Sequence, residues 1–177
     1  GDQGQGNQAD GANALNNPTF LASASDSFLE KSIAYGRPNT PMSAWSEHQN
    51  GPLTNHQIRD IVAWLRSWQT SRSIRLEDPP RGNQTAGQMI YARKCAGCHG
   101  KAGQGNKAPS LNNPWFLHSA SDGFLAHAIK KARPGTKMPT FEDKLSPPQI
   151  SDLVALLRSW EKPVEEAPQA RFEPSLE

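Results

Sequence analysis

The reactive side chains of this sequence gather in one short run, Cys95-Ala-Gly-Cys-His99. On a helical turn, two thiols at this spacing can each form a thioether with a vinyl group of a haem, and the next residue then projects its imidazole to the iron. Two other chemistries use the same residue types. A reversible thiol pair of the thioredoxin kind wants a βαβ setting, which the pattern lacks, and a zinc site wants a second Cys/His pair. The spacing favours covalent haem attachment, with Cys95 and Cys98 as tethers and His99 as one axial ligand.

An iron held this way takes a second axial ligand, and a soft neutral side chain on a loop suits that position. Gly135-Thr-Lys-Met138-Pro139 offers one. An isolated methionine is ordinarily core filler. Its place in a Gly/Pro loop, after the attachment motif and just before the last helical segment, points instead to Met138 as the distal ligand. A His/Met pair raises the iron potential relative to harder ligation, and six-coordination leaves no open position for oxygen or substrate. The expected role is electron transfer, so the chain is read as a carrier rather than an enzyme. His48, His56, His118 and His127 have no ligand spacing and are expected to be solvated; His118, beside Trp115-Phe116, is the alternative ligand to check.

The elements that position these residues occur twice. Residues 15–45 laid on 111–141 match without a gap at 17 of 31 positions, and 53–68 on 145–160 at 10 of 16. Identities such as Asn-Asn-Pro, Ser-Ala-Ser-Asp and Arg-Ser-Trp identify an internal duplication, so both copies should share one fold. The first copy carries four extra residues around Ser46–Pro52, a loop-length difference. Residues 69–84 hold Pro-Pro, Gly and clustered charge without an apolar period and read as a surface linker. The tail after Lys162, residues 163–177, is Pro- and Glu-rich and reads as mobile or draped over a partner.

Within each copy the signals are helical. Ser146-Pro-Pro-Gln149 gives an N-cap, prolines in the first turn and a capping box, and Thr54-x-x-Gln57 repeats the box. Ile150, Leu153, Val154 and Leu157 then recur on one helix face, as do Ile58, Ile61, Val62 and Leu65. Further helices are expected from Asp122 to before Arg133-Pro134, with Phe124, Leu125, Ala128 and Ile129 inward, from Asp26 to Gly36, and over Thr85–Ala96, where Met89, Ile90 and Tyr91 supply apolar contacts. No alternating strand pattern of convincing length occurs, so the class is all-α.

With these features in place, residues 84–160 resemble a class I cytochrome c domain, and the tandem arrangement is similar to dihaem bacterial cytochromes c. The resemblance rests on the helix ending in Cys95-Ala-Gly-Cys-His99-Gly100, the Gly/Pro loop after it, the Met138-Pro139 loop and the closing helix ending Leu157-Arg-Ser-Trp160. It implies two tandem cytochrome c domains, residues 1–68 and 85–162, with one haem c on the second. It also implies that a proline carbonyl fixes the proximal histidine ring, and Pro109 is the matching position. The crossing of the terminal helices in that family would bring Tyr91 to the face of the final helix, as a packing residue together with Trp160.

Nothing in the first copy aligns with Cys95–His99, although Met42 matches Met138. Gly1–Gly6 falls on Gly100–Gly105, so the expectation is that a preceding attachment motif lies outside the given sequence and that the intact protein holds a second haem. A haemless docking module is the alternative, favoured by Asn13 in the place of Pro109 and by three extra residues between Gly6 and Leu15. Met42 is therefore a conditional distal ligand, dependent on a proximal histidine from outside this sequence.

Composition limits the partners. Among 177 residues, 19 Lys+Arg against 17 Asp+Glu leave a net charge of +2, without the one-sided basic stripe of a nucleic-acid binder. No apolar run approaches the roughly 20 residues of a membrane helix. Lys101, Lys107, Lys130, Lys131, Arg133 and Lys137 fall in segments that the resemblance places around the haem edge, and they suit a small, salt-sensitive rim for an acidic redox protein. Redox proteins, or the subunits of a quinol-oxidising complex or terminal oxidase to which this chain would belong, are the expected partners. Covalent haem attachment in the resembling bacterial family implies a periplasmic or periplasm-facing location.

Overall fold

The structure is a computed structural model, described over residues 1–6, 12–37, 40–133 and 136–165. Pro134, Gly135 and the tail from residue 166 onward, on which expectations were placed, lie outside the described residues.

Helices dominate, and the duplication is visible in their caps. In the first copy, α1 spans Pro18–Ser23, α2 Asp26–Tyr35 and α3 Asn55–Ser67. Then α4 spans Gln84–Lys94 and α5 is the single turn Ala96–His99. The second copy continues with α6 Pro114–Ser119, α7 Asp122–Lys131 and α8 Pro147–Ser159. Asn17 and Asn113 cap α1 and α6 ahead of a first-turn proline, Ser25 and Ser121 cap α2 and α7, and the two expected capping boxes close on α3 and α8. Each cap accepts a backbone N–H that has no partner within its helix. The six-residue helices α1 and α6 were not anticipated, because they are too short to show a period; their Asn-Pro starts were the available signal. The four extra residues of the first copy are taken up by a 3-10 turn over Glu47–Gln49.

The attachment helix leans on the last helix. α4 packs chiefly against α8, and a Cβ at Gly87 would come within 2.1 Å of the Asp152 carbonyl oxygen, so only glycine lets the two backbones approach this closely. Asp152 also accepts the Asn83 N–H at 2.7 Å, tying the start of α4 to α8. Tyr91 is buried with its ring edge-on to Trp160, 5.0 Å between centroids, while Met89 is 57% exposed and takes no part in the packing expected of it. The inward faces of α3 and α8 bury Ile58, Val62, Leu65, Ile150, Leu153, Val154 and Leu157 as the periodicity requires.

The buried residues of the two copies join in one continuous cluster, with Phe20, Phe28 and Val62 of the first beside Tyr91, Phe116, Phe124 and Leu153 of the second. Residues 69–83 run mostly exposed between them but are fastened to both, through the Ile74 N–H on the Ala22 carbonyl at 2.9 Å and the Gly123 N–H on Asp78 at 2.7 Å. Arginines lock the helix pairs within each copy: Arg66 donates to Asp26, Leu21 O and Ala24 O, and Arg158 donates to the equivalent Asp122, Leu117 O and Ala120 O.

Candidate haem site

The site begins where α4 stops. Cys95 caps that helix with φ −121°, the chain turns once, and the N–H groups of Cys98 and His99 both return to the Cys95 carbonyl, at 3.1 and 3.0 Å. This turn puts both thiols and the imidazole on one short piece of backbone. Cys95 is half-buried and Cys98 exposed, and they are not joined as a disulfide. Burial, with the neighbouring Cys98 second and Lys94 opposing, pushes the Cys95 thiol up to about 11. A Cβ at Gly97 would meet nothing, so the outer side of the turn is open.

The loop after the turn folds back onto it. Gly105 N–H reaches the His99 carbonyl at 2.8 Å and Ala108 N–H the Cys98 carbonyl at 3.0 Å. That return carries the Pro109 carbonyl to 2.8 Å from His99 Nδ1. A carbonyl can only accept, so Nδ1 is the donor and the neutral imidazole keeps its Nε2 lone pair for another partner. The same backbone is braced from behind by Tyr91, whose hydroxyl donates to the Gly100 carbonyl at 2.7 Å. Burial, followed by the Cys95 charge, raises the Tyr91 hydroxyl to about 12, so it stays protonated as a donor at neutral pH.

Met138 lies on a different segment, between α7 and α8, and is half-buried. Its N–H donates to Thr136 Oγ1 at 3.2 Å, and that hydroxyl donates to the Arg133 carbonyl at 2.8 Å. Met42 is presented in the same way by Thr40 and Arg37, at 3.1 and 2.7 Å, but is 40% exposed. The structure thus groups Cys95, Cys98, His99 and Pro109 tightly and builds the two methionine loops alike.

The post-motif loop is also duplicated. Gly4 accepts from Leu15 and Asn16 at 2.7 and 3.1 Å, and Gly103 accepts from Leu111 and Asn112 at the same two distances. Asn16 Nδ2 on Gln3 O and Asn112 Nδ2 on Ala102 O repeat the match. Gly1–Gly6 therefore folds as Gly100–Gly105 does.

The donor set fits haem c. Two thiols and an imidazole with a fixed tautomer share one turn with an open outer side, and a thioether sulfur stands on a loop. Among the described residues no group of three or more His, Cys, Asp or Glu side chains converges as a metal-binding cluster. His118 lies edge-on to Trp115 at 5.8 Å, His56 sits 3.0 Å from Asp60 on an exposed helix face, and His127 is half-buried with its pKa lowered by burial and then by Lys131. Of the expected basic rim, Lys101, Lys107 and Lys137 are exposed, Lys131 pairs with Glu142 at 2.5 Å, and Arg133 turns inward over Phe20. Arg133 was expected on that rim because the resemblance places its segment around the haem edge, and the position of a segment does not fix the direction of one side chain.

Comparison with known proteins bears on the same segment. Residues 82–157 match the family model described as cytochrome c oxidase, cbb3-type, subunit III. The cbb3-type cytochrome c oxidase subunit FixP of Bradyrhizobium diazoefficiens is 32% identical over 114 residues, covering 63% of this chain and 37% of that protein. The chain thus spans little more than a third of the length of this relative. Among solved structures, a chain of the Kuenenia stuttgartiensis reducing HAO-like protein complex Kustc0457/Kustc0458 superposes with a TM-score of 0.53 at 22% identity, over 84% of this chain and 80% of that one, a likeness of all-α fold. Cytochrome cL from Hyphomicrobium denitrificans is 30% identical over 45% of this chain and 48% of its own, with a TM-score of 0.40. The family-model match and the FixP match support a cytochrome c domain in the segment that includes Cys95–His99.

Proposed function

We propose that Cys95 and Cys98 tether one haem c, that His99 and Met138 are its axial ligands, and that the chain relays electrons between redox proteins without substrate chemistry. When bound, haem c supplies a one-electron ferric/ferrous couple. The observation that carries the reading is the His99 Nδ1 to Pro109 O hydrogen bond of 2.8 Å on the turn that bears both thiols. Pro109 fixes the imidazole plane and leaves Nε2 available to bind iron, and Cys95 and Cys98 would hold the haem beside it. Thr136 orients the Met138 backbone, and the Met138 thioether would supply a soft ligand to the iron. Exposed Lys101, Lys107 and Lys137 form a modest basic rim for an acidic partner.

The domain reading is two tandem cytochrome c units, residues 1–68 and 85–162, joined by 69–84 and facing the periplasm. In the first unit Met42 is a distal ligand only where a proximal histidine is supplied from outside this sequence. No helix of the described residues is long and apolar enough to cross a membrane.

Replacing Met138 by Ala tests the ligation. The variant's potential should fall and it should gain carbon monoxide binding, whereas ready carbon monoxide binding by the wild type would contradict six-coordination.

A second reading makes this chain a domain or subunit of a respiratory enzyme. The match to cbb3-type subunit III and to FixP favours it. Its mark would be retention of the chain with an integral-membrane oxidase through high-salt washing, since a carrier's small charged interface is released by salt.

A further inference from the structure

Helix α7 buries Phe124 at the seam between the two copies, and its C-terminal end has a second task. That end ties down the segment carrying Met138 on both sides of the methionine, each time through a threonine. Before Met138, the Thr136 hydroxyl donates to the Arg133 carbonyl at 2.8 Å and accepts the Met138 N–H at 3.2 Å. After it, the Thr140 hydroxyl donates to the Lys130 carbonyl at 2.7 Å and accepts the Glu142 N–H at 3.4 Å. Each hydroxyl thus bridges a carbonyl at the helix end and the N–H two residues further along its own segment, a local use of threonine that fixes turns. The Phe141 N–H joins the second bridge on the same Lys130 carbonyl at 3.2 Å, and Lys131 meets Glu142 at 2.5 Å beside it.

The first copy has only the first bridge. Thr40 repeats Thr136, donating to the Arg37 carbonyl at 2.7 Å and accepting the Met42 N–H at 3.1 Å. Ala44 stands in the place of Thr140, and Tyr35 and Ser46 in those of Lys131 and Glu142, so neither the hydroxyl bridge nor the ion pair can form. This loop closes on itself instead, with the Arg37 N–H on the Met42 carbonyl at 2.8 Å. Its exit is in a different register. Trp45, the twin of Phe141, donates at 3.2 Å to the Ile33 carbonyl, one residue before the twin of Lys130. Phe141 is buried where Trp45 is exposed, and Met138 is half-buried where Met42 is exposed. The two loops match up to the methionine and part after it.

We propose that Thr140, with the Lys131–Glu142 pair beside it, is a positioning clasp for Met138, and that its opening sets how readily a foreign ligand takes the place of the methionine. The proposal rests on the reading of Met138 as an axial ligand. A segment tied on one side of its middle residue can swing about that tie, whereas one tied on both sides must first break a bond, so local opening is governed by the weaker tie. The threonine bridge is the larger part of the clasp, because an exposed ion pair holds its two long side chains together at an entropic cost and is screened by salt.

The test uses the full chain with its haem attached, and imidazole as the competing ligand. Imidazole affinity of the ferric protein, hydrogen exchange at the Phe141 N–H and tryptic cleavage after Lys137 are read on wild type, Thr140→Val, Thr140→Ser and Glu142→Gln. Thr140→Val should bind imidazole about fivefold more tightly and exchange the Phe141 N–H about fivefold faster, the worth of one neutral hydrogen bond. It should also be cut sooner after Lys137, while Thr140→Ser, which keeps the hydroxyl, stays near wild type. Glu142→Gln should move the same readings the same way by about twofold, and the Lys131→Glu, Glu142→Lys double variant should restore them. Exchange and cleavage do not depend on what binds the iron, and the sulfur-to-iron absorption band of the wild type reports methionine ligation separately. Faster exchange in Thr140→Val from a protein that lacks this band supports the clasp on the segment and overturns the ligation reading alone. With the band present, an imidazole affinity or a Phe141 exchange rate unaltered in Thr140→Val overturns the proposal, and so does Thr140→Ser behaving as Thr140→Val does.

Discussion

Phe28 and Phe124 occupy equivalent positions in α2 and α7, and their rings meet across the seam with centroids 4.8 Å apart and planes tilted by 34°. Phe116 and Phe20 flank the same pair, each 6.2 Å from Phe28 and close to edge-on. The duplicated helices therefore pack on each other through the same residue from each side, as the subunits of a symmetric dimer do. Truncating either ring to Ala should cost about 3–5 kcal/mol, and the double variant should cost clearly less than the sum because the two share one contact. Denaturant unfolding of the two single variants and the double checks this.

Arg158 is held by geometry as much as by charge. Its fork serves Asp122 and two carbonyls at once, and a lysine ammonium is a single point that cannot reach all three. Arg158→Lys should destabilise by about 2 kcal/mol through the carbonyls left unpaired. Arg66→Lys should behave alike in the first copy, and a shift in denaturant midpoint at constant m-value reads both.

Ala132 adopts a backbone region that glycine occupies freely, as Gly36 does at the matching position. Removing its Cβ releases strain of about 1–3 kcal/mol and gives back part of that to the greater freedom of the unfolded chain. Ala132→Gly should stabilise by about 1 kcal/mol, seen as a higher thermal midpoint, whereas Gly36→Ala should destabilise.

Burial, then Lys131 and Lys130, lower the His127 pKa below its ordinary 6.5. Between the folded and unfolded values the unfolded chain binds more protons, so stability is held above the ordinary value and declines as pH falls through the folded one. His127→Gln should flatten that decline, checked by unfolding free energy across mildly acidic pH. A wild-type profile as flat as the variant's would count against the shift.

The periodic faces of α3 and α8 and both capping boxes were legible because each is a local pattern of residues on one helix. The reach of the duplication was legible too, down to Gly1–Gly6 repeating Gly100–Gly105. Two classes of feature were not. The short helices α1 and α6 depend on a cap and a proline rather than a period, and Met89 looked apolar enough for burial although its side of α4 faces water. The inward turn of Arg133 was invisible for a different reason. It is set by the backbone at Ala132 and by Phe20, more than a hundred residues away in the chain. Around Cys95–His99 the sequence names residue types and spacing, and the resemblance supplies Pro109 as the partner of the His99 ring, while the Tyr91 to Gly100 bond emerges only from the way the loop folds back.

Covalent haem on the peptide that contains Cys95 and Cys98 is the most direct measure of the central claim. Protein produced in cells competent for haem attachment would be digested, and that peptide weighed beside a pyridine haemochrome assay of the intact chain. The account predicts a haem adduct on this peptide, held by both sulfurs and lost in the Cys95→Ala, Cys98→Ala double variant. A peptide recovered with two free thiols or a disulfide, from protein whose haem is absent or extractable by acid acetone, would contradict it.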